Sequence, residues 1–520
     1  MAQLYFSLII HNHQPVGNFD FVFQNAFEQA YQPLANSLDR HQDIKVAMHF
    51  TGPLLDWLQL NQPSYIDQIA AQVERGQVEI LSGAYYEPIL AMLSDADKIG
   101  QIEKLNSTIQ KLFGQTPKGM WLAERIWEPH LPISIHQANI KYTLIDDSHF
   151  VIAGFKPQEL FGYFVTEEQG YHLRIVPTQT KLRSFVPWRP VEALFDWLRE
   201  QYEQTVTVGK PPKWIVLGED GEKFGMWPHT YELVWEQNWL NQFFETLEQS
   251  QDWLELIHPS EYIDTYRSLG IAYLPTESYR EMGEWALPSP ESYLLRDLRE
   301  AYEIQLAHIP EWDENRRDEV ERVLRFLRGS FWRNFLVKYP EINHMQKRVL
   351  SLSKKAHQLP AGEERDKILD LIWAAQCNAA YWHGIFGGIY MFHIRSANYT
   401  NLIHAETLMD KRQGVWVEAV DFNADTETEL MVGNGPLMLV IDPQDGGKIT
   451  ELDYRPAFYN LVNIMSRHPE GYHIQIQEAA ETNMLMTPED DPSQFEGEPI
   501  RAKERGLEKV IYVDWHRRGM

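Results

Sequence analysis

Up to about residue 285 the sequence alternates short apolar runs with longer helical stretches, and this feature restricts the fold more than any other. Candidate strands lie at 4–10, 44–50, 78–81, 119–123, 142–145, 173–176, 214–217 and 271–274. A crossover helix separates the third from the fourth. Ile99, Ile102, Leu105, Ile109 and Leu112 share one face, Asp95 and Asp97 favour its first turn, and Gly114 follows as a stop. That strand count predicts an α/β fold, a parallel barrel of seven or eight strands rather than an open sheet. From about 286 to 405 strand-like runs vanish, and stretches such as 318–328 and 363–381 predict a helical domain packed beside the barrel. After Gly414 the period switches to two: VWVEAVDF, LMLVID and YHIQIQ read as strands of a β-sandwich. Residues 482–505 are acidic and proline-bearing, which predicts a mobile loop. A strand-like VIYVDW then follows shortly before Met520, so the sandwich is either small or incomplete, and the sequence favours incomplete. The expected domains are therefore 1–285, 286–405 and 406–520, in line with 520 residues at roughly 150 per domain.

Charge excludes one broad class of partner. With 47 basic against 74 acidic residues the net charge is −27, a poor basis for neutralising phosphates, so nucleic acid is not expected as a partner. The 17 Trp, 24 Tyr and 24 Phe exceed what a core needs, and flat rings are a common floor for sugars, although core filling accounts for surplus aromatics as well. A single cysteine, Cys377, cannot form an internal disulfide and suggests a reducing compartment. The opening MAQLYFSLIIHNHQP lacks a basic n-region, and no apolar run reaches the length of a membrane span. The expectation is a cytoplasmic protein that does not engage a membrane.

Polar residues collect just after the candidate strands, the end at which barrel active sites form. His11 and His13 follow the first strand, Glu124 the fourth, Asp146 and Asp147 the fifth, and Glu219, Asp220 and Glu222 the seventh. Glu79 stands within an apolar strand, where a lone carboxylate needs partners. Glu124 beside Arg125 reads equally well as half of a structural ion pair, and Asp220 in DGE as turn chemistry. Together on one rim, however, two carboxylates can divide glycosidic cleavage between an attacking group and a proton donor. His11 and His13, two apart on a strand, point the same way and serve either as sugar-hydroxyl partners or, with a borrowed carboxylate, as metal ligands. In AQCNAAYWHGIFGG, Trp382 and His383 end a helix, either packed on the barrel or covering a sugar.

In order and spacing, HNHQP (11–15), GQVEIL (76–81), WLAERIWEP (121–129), EDGEKFGMWP (219–228) and CNAAYWHGIFGG (377–388) resemble the motifs of glycoside hydrolase family 57. The stretch YNLVNIMSRHPEGYH further resembles the sandwich domain of that family's 4-α-glucanotransferases. The resemblance implies a (β/α)7 barrel, an α-helical domain and a β-sandwich, acting on α-glucans with retention and with neither cofactor nor metal. It implies Glu124 as nucleophile and Asp220 as acid/base, with His11, His13, Glu79, Trp121, Glu222, Trp227, Trp382 and His383 lining the sugar subsites. One departure is Ala379, where related transferases often carry an acid after the asparagine.

The expected activity is glucosyl transfer, with α-amylase-type hydrolysis as the alternative. A metal-dependent carbohydrate enzyme using His11 and His13, and a non-catalytic glucan-binding protein, are the rivals from other classes. The expected partner is an α-glucan or maltooligosaccharide, with a homodimer left open. Acid catalysis requires that burial and nearby negative charge raise the pKa of Asp220.

Overall fold

The computed structural model describes residues 4–204, 211–310, 312–384, 387–487, 500–502 and 504–513. Its contacts divide the chain into two compact units. One takes Met1–Tyr279, Val349–Ala379 and Thr400–Met409, the other Arg280–Arg348, Ala380–Tyr399 and Asp410–Met520. The helical stretch expected at 286–405 is thus shared between them. No helix among the described residues is long and apolar enough to cross a membrane.

In the first unit, the strands β1 (Leu4–Asn12), β2 (Val46–Phe50), β3 (Val78–Leu81), β4 (Gly119–Met120), β5 (Tyr142–Asp146), β6 (Phe164–Glu168), β7 (Tyr171–Thr178), β8 (Trp214–Asp220) and β9 (Leu254–Leu256) follow in chain order. They form two sheet segments, β3-β2-β1-β8 with short β9 beside β1, and β4-β5-β7-β6. The segments join at both of their ends. Ser82, just past β3, bridges Met120 in parallel, and the Gln179 amide donates to the Val216 carbonyl at 2.8 Å. Strands β1, β2, β3, β4, β5, β7 and β8 thereby run in parallel around a seven-membered ring, while β6 pairs antiparallel on the outside of β7. The expected strand at 271–274 does not form. Ile271 is exposed and makes one isolated bridge to Val165, so β9, not this run, supplies the late strand.

Side-chain alternation explains why the ring closes. Along β1, Leu4, Phe6, Leu8 and Ile10 face the helices, in a core they share with Val46, Val78, Ile215 and Leu217. Tyr5 and Ile9 face inward, with Ala47, Leu81, Trp121, Tyr142, Val176, Trp214 and Val216. Both faces are buried, which is why these strands read as unbroken apolar runs. The crossover helix Asp95–Phe113 is capped by the Ser94 hydroxyl, which accepts from the Asp97 amide, and it stops at Gly114 in the left-handed conformation. Its buried residues include Ile102, Leu105 and Ile109. Asp97, in the first turn as expected, is buried and accepts from Ser353, His357, Trp373 and Gln376 of the same unit.

The second unit contains an antiparallel sheet, β10 (Trp416–Val420), β11 (Glu429–Gly433), β12 (Leu437–Asp442), β13 (Lys448–Tyr454) and β14 (Tyr459–Asn460), in sequential order. The Glu451 carboxylate is buried there against Arg348 and His344. YHIQIQ is not a strand. It falls in the helix Gly471–Glu481, where Glu470 and His473 form a capping box and the following Glu-Ala-Ala-Glu favours helix, so a local alternation lost to cap and propensity. Residues 510–513 carry no strand, and residues 488–499 and 503 of the expected mobile loop lie outside the described residues.

Candidate active site

Register ranks the inward-facing side chains by depth. His11 is level with His49 on β2 and Asp220 on β8, and His49 is level with Leu81 on β3. Two residues earlier, Ile9, Ala47, Glu79 and Gly218 form the layer beneath. At about 3.3 Å per residue Glu79 is roughly 6.6 Å deeper than the His11–Asp220 layer. Its carboxylate accepts from the Tyr142 hydroxyl at 2.8 Å and the Ser260 amide at 3.2 Å. It borders a cavity of about 780 Å³ lined also by Glu74, Gly76, Gln115 and His258. Glu79 is therefore a partnered core carboxylate below the site, not a lining residue of it. Trp121 is 2% exposed and supports the ring of His11, stacked at 4.5 Å and 10°, so it too is a layer behind the open surface.

Around His11 and His13 the structure places Glu87, which the sequence reading passed over. His11 Nε2 lies 3.1 Å from one Glu87 oxygen, and His13 Nδ1 pairs with the other. His11 Nδ1 meets His49 Nδ1 at 2.9 Å. Burial pulls His13 down, but the Glu87 carboxylate outweighs it and raises the pKa to about 9, so His13 is an imidazolium at neutral pH. The two rings hold Glu87 well below the usual carboxylate range despite its burial. His49, buried and beside His11, falls to about 3 and stays neutral. The signal for Glu87 was its place in AYYEPIL just beyond β3, equivalent to the other strand-end groups. The Asn378 amide donates to the Glu87 carbonyl at 3.3 Å, which ties the last motif to this loop. Ligand atoms of His11, His13 and Glu87 lie within 4.8 Å of one another and could gather a cation, but their charges already complement each other.

Glu222 accepts from the His13 amide at 2.8 Å and from the Tyr31 hydroxyl, and burial raises its pKa. Trp227 is half-buried five residues on, with the Lys223 ammonium 5.7 Å from its ring.

Glu124 and Arg125 both adopt left-handed backbone, φ 52° and 46°, as does Glu87 at 48°. Such conformations are uncommon for side chains of this size and persist only where the surroundings impose them. Arg125 is fixed by Asp146 at 3.5 Å and by the Trp121 and Tyr279 rings. Glu124 is half-buried. Burial raises its pKa, Arg125 opposes this, and the charges of Glu87 and Asp220 add to it.

Asp220 departs from expectation. Burial alone would raise it, but Arg183 Nη2 lies 2.8 Å from its Oδ2 and, with His11 and Arg125, lowers the pKa. Its neighbour Glu219 points to the other side of β8, takes both oxygens of its carboxylate to Lys223 Nζ at 3.0 Å, and is pushed up to about 7 by burial. Asp147, accepting from Thr180 at 2.6 Å, is likewise raised to about 7 by burial.

Trp382 and His383 belong to the second unit. There Trp382 stacks with Trp285 at 6.3 Å, and His383 is buried against the Tyr339 hydroxyl at 2.8 Å with its pKa lowered to about 4 by burial.

A ring of parallel strands that gathers Glu124, Asp220, Glu222, His11, His13 and Glu87 at its C-terminal ends has the form of a barrel enzyme with a carboxylate-based site. Residues 3–275 match glycosyl hydrolase family 57. Residues 330–409 and 421–520 match the middle and C-terminal domains described as α-amylase/4-α-glucanotransferase. The chain belongs to glycosyl hydrolase family 57, and it is an enzyme of the glycoside hydrolase or transglycosylase type. It is 41% identical over 519 residues to α-amylase 1 of Dictyoglomus thermophilum, covering 99% of this chain and 71% of that protein. To the 4-α-glucanotransferase of Thermococcus litoralis it is 39% identical over 473 residues, 91% of this chain and 67% of that one. The crystal structure of the T. litoralis 4-α-glucanotransferase superposes with a TM-score of 0.83 at 38% identity, over 94% of this chain and 72% of that one.

Proposed function

We propose that this protein is a 4-α-glucanotransferase, moving α-1,4-linked glucosyl units between maltooligosaccharides with retention of configuration. Carrying the reading is the presentation of Glu124 and Asp220 at one end of the barrel, each beside a fixed cation, with the charged His13 facing Glu124. Glu124 attacks the anomeric carbon as the bond from that carbon to the leaving oxygen breaks, and Asp220 delivers a proton to that oxygen. In the second half Asp220 takes the proton of an acceptor hydroxyl, whose oxygen displaces Glu124. His13, with a quarter of its side chain exposed, donates to a sugar hydroxyl, and Glu222 accepts from one.

Hydrolysis is the second reading, favoured by the 41% relative that is named an α-amylase. Products from pure maltotriose separate the two. A ladder of longer oligosaccharides with released glucose supports transfer, whereas maltose and glucose alone would replace it with an amylase. Asp220→Asn should slow the first step most for poor leaving groups, with azide restoring the second.

A further inference from the structure

Acid catalysis needs a proton on Asp220, yet a guanidinium lies directly against that carboxyl and lowers its pKa. Arg183, at the end of the short helix Thr180–Arg183 after β7, is responsible. Its Nη2 lies 2.8 Å from Asp220 Oδ2 and its Nε 3.8 Å from Glu219 Oε2. The two carboxylates are consecutive on β8 and so face opposite sides of the strand, with the guanidinium reaching both. Around Asp220 stand the cations of Arg183, Arg125, Lys223 and the ring of His11, against the negative charges of Glu124 and Glu219. Asp146 and Tyr279 also face Arg183. Lys223 donates to the Arg183 carbonyl at 2.6 Å, which anchors the backbone behind a guanidinium that faces both acceptors.

The two carboxylates differ in what a bound sugar does to them. Asp220 is 21% exposed and Glu219 fully buried. A neutral sugar covering Asp220 removes water from its ion pair, and an ion pair losing water loses stability. Glu219 has already lost its water, so drawing Arg183 closer costs it no further desolvation. Resting on the assignment of Asp220 as the acid/base, we propose that Arg183 is a positioning residue that clamps Asp220 as a carboxylate in the free enzyme and swings to Glu219 when a donor sugar binds. Asp220 then takes up, from solvent, the proton it delivers to the leaving oxygen.

The pH dependence of maltotriose turnover tests this, because kcat/KM reports the free enzyme and kcat the complex. In the wild type the alkaline limb of kcat/KM should lie at lower pH than that of kcat. Arg183→Met should raise the kcat/KM limb by about one to three pH units, the shift typical of losing an adjacent opposite charge, and bring the two limbs together. Glu219→Gln, which removes the alternative acceptor, should instead draw the kcat limb down toward that of kcat/KM, and it decides the matter if Arg183→Met does not fold. Limbs that stay in place while activity falls evenly across pH would reduce Arg183 to a structural role. Full activity of Asp220→Asn would instead overturn the acid/base assignment itself. An inactive Asp220→Asn with unmoved limbs in both other variants overturns only the clamp.

Discussion

The ring of His11 lies flat on the indole of Trp121, 4.5 Å between centroids, while its two nitrogens meet His49 and Glu87. With one face and both nitrogens engaged, His11 is the fixed member of the His-x-His pair. His13, a quarter exposed, is the member left to meet a ligand.

Glu87→Gln should therefore act through His13. Without the carboxylate, burial is opposed only by Glu222 and Glu124, and the pKa of His13 should fall from about 9 toward its ordinary 6.5, which NMR titration of the ring would reveal. Activity on maltotriose should drop about 10- to 100-fold as the ring loses its orientation. A raised histidine pKa stabilises the fold fully below 6.5 and ceases to do so as pH rises through 9, whereas the depressed Glu87 stabilises above its unfolded value and fails in acid. The melting temperature of the wild type should thus lose a contribution on both sides of that window, and Glu87→Gln should flatten the profile.

Glu124→Gln keeps the shape of the side chain and its left-handed backbone, so folding should be undisturbed. Turnover should fall on the order of 10⁴-fold or more, as when a nucleophile is removed. Near-normal rates on maltooligosaccharides, with an unchanged melting temperature, would remove Glu124 from the mechanism.

Gly225 separates Glu222 from Trp227 with φ 154°, and a Cβ built there would stand 2.1 Å from the Gln29 carbonyl oxygen. A backbone oxygen cannot rotate away. Gly225→Ala should destabilise by about 1–3 kcal/mol and raise KM for maltotriose as Glu222 and Trp227 shift together. Calorimetry and steady-state kinetics on the same preparation check both.

Asp97 holds the crossover helix to residues 353–376 through four side-chain donors. Asp97→Ala strands those donors in the interior and should cost roughly 3–5 kcal/mol, seen as a lower melting temperature. Those partners outweigh burial and depress the Asp97 pKa, so its contribution is present at neutral pH and fades as pH falls through the folded value.

Several of these features were legible in the chain. The unbroken apolar runs of β1, β2, β3, β5, β7 and β8 marked buried parallel strands, because both faces of each are covered. Gly114 marked the end of the crossover helix, because only glycine takes its left-handed turn without strain. The strand-end positions of Glu124, Asp220 and the two histidines followed from the same pattern. The helix at 471–481 was misread because I-Q-I-Q fits a period of two locally, and the capping box that decides it depends on backbone geometry.

The linear order of residues determined which groups end each strand and which face they share, since pleat and register obey a period of two. Only the tertiary structure decided their partners. Glu87 reaches His11 and His13 from another strand's loop, Arg183 reaches Asp220 from the helix after β7, and Glu79 drops a layer below the site. Charge states follow those distances, because an opposite charge at 2.8 Å outweighs burial, and separation in space is not written in separation along the chain.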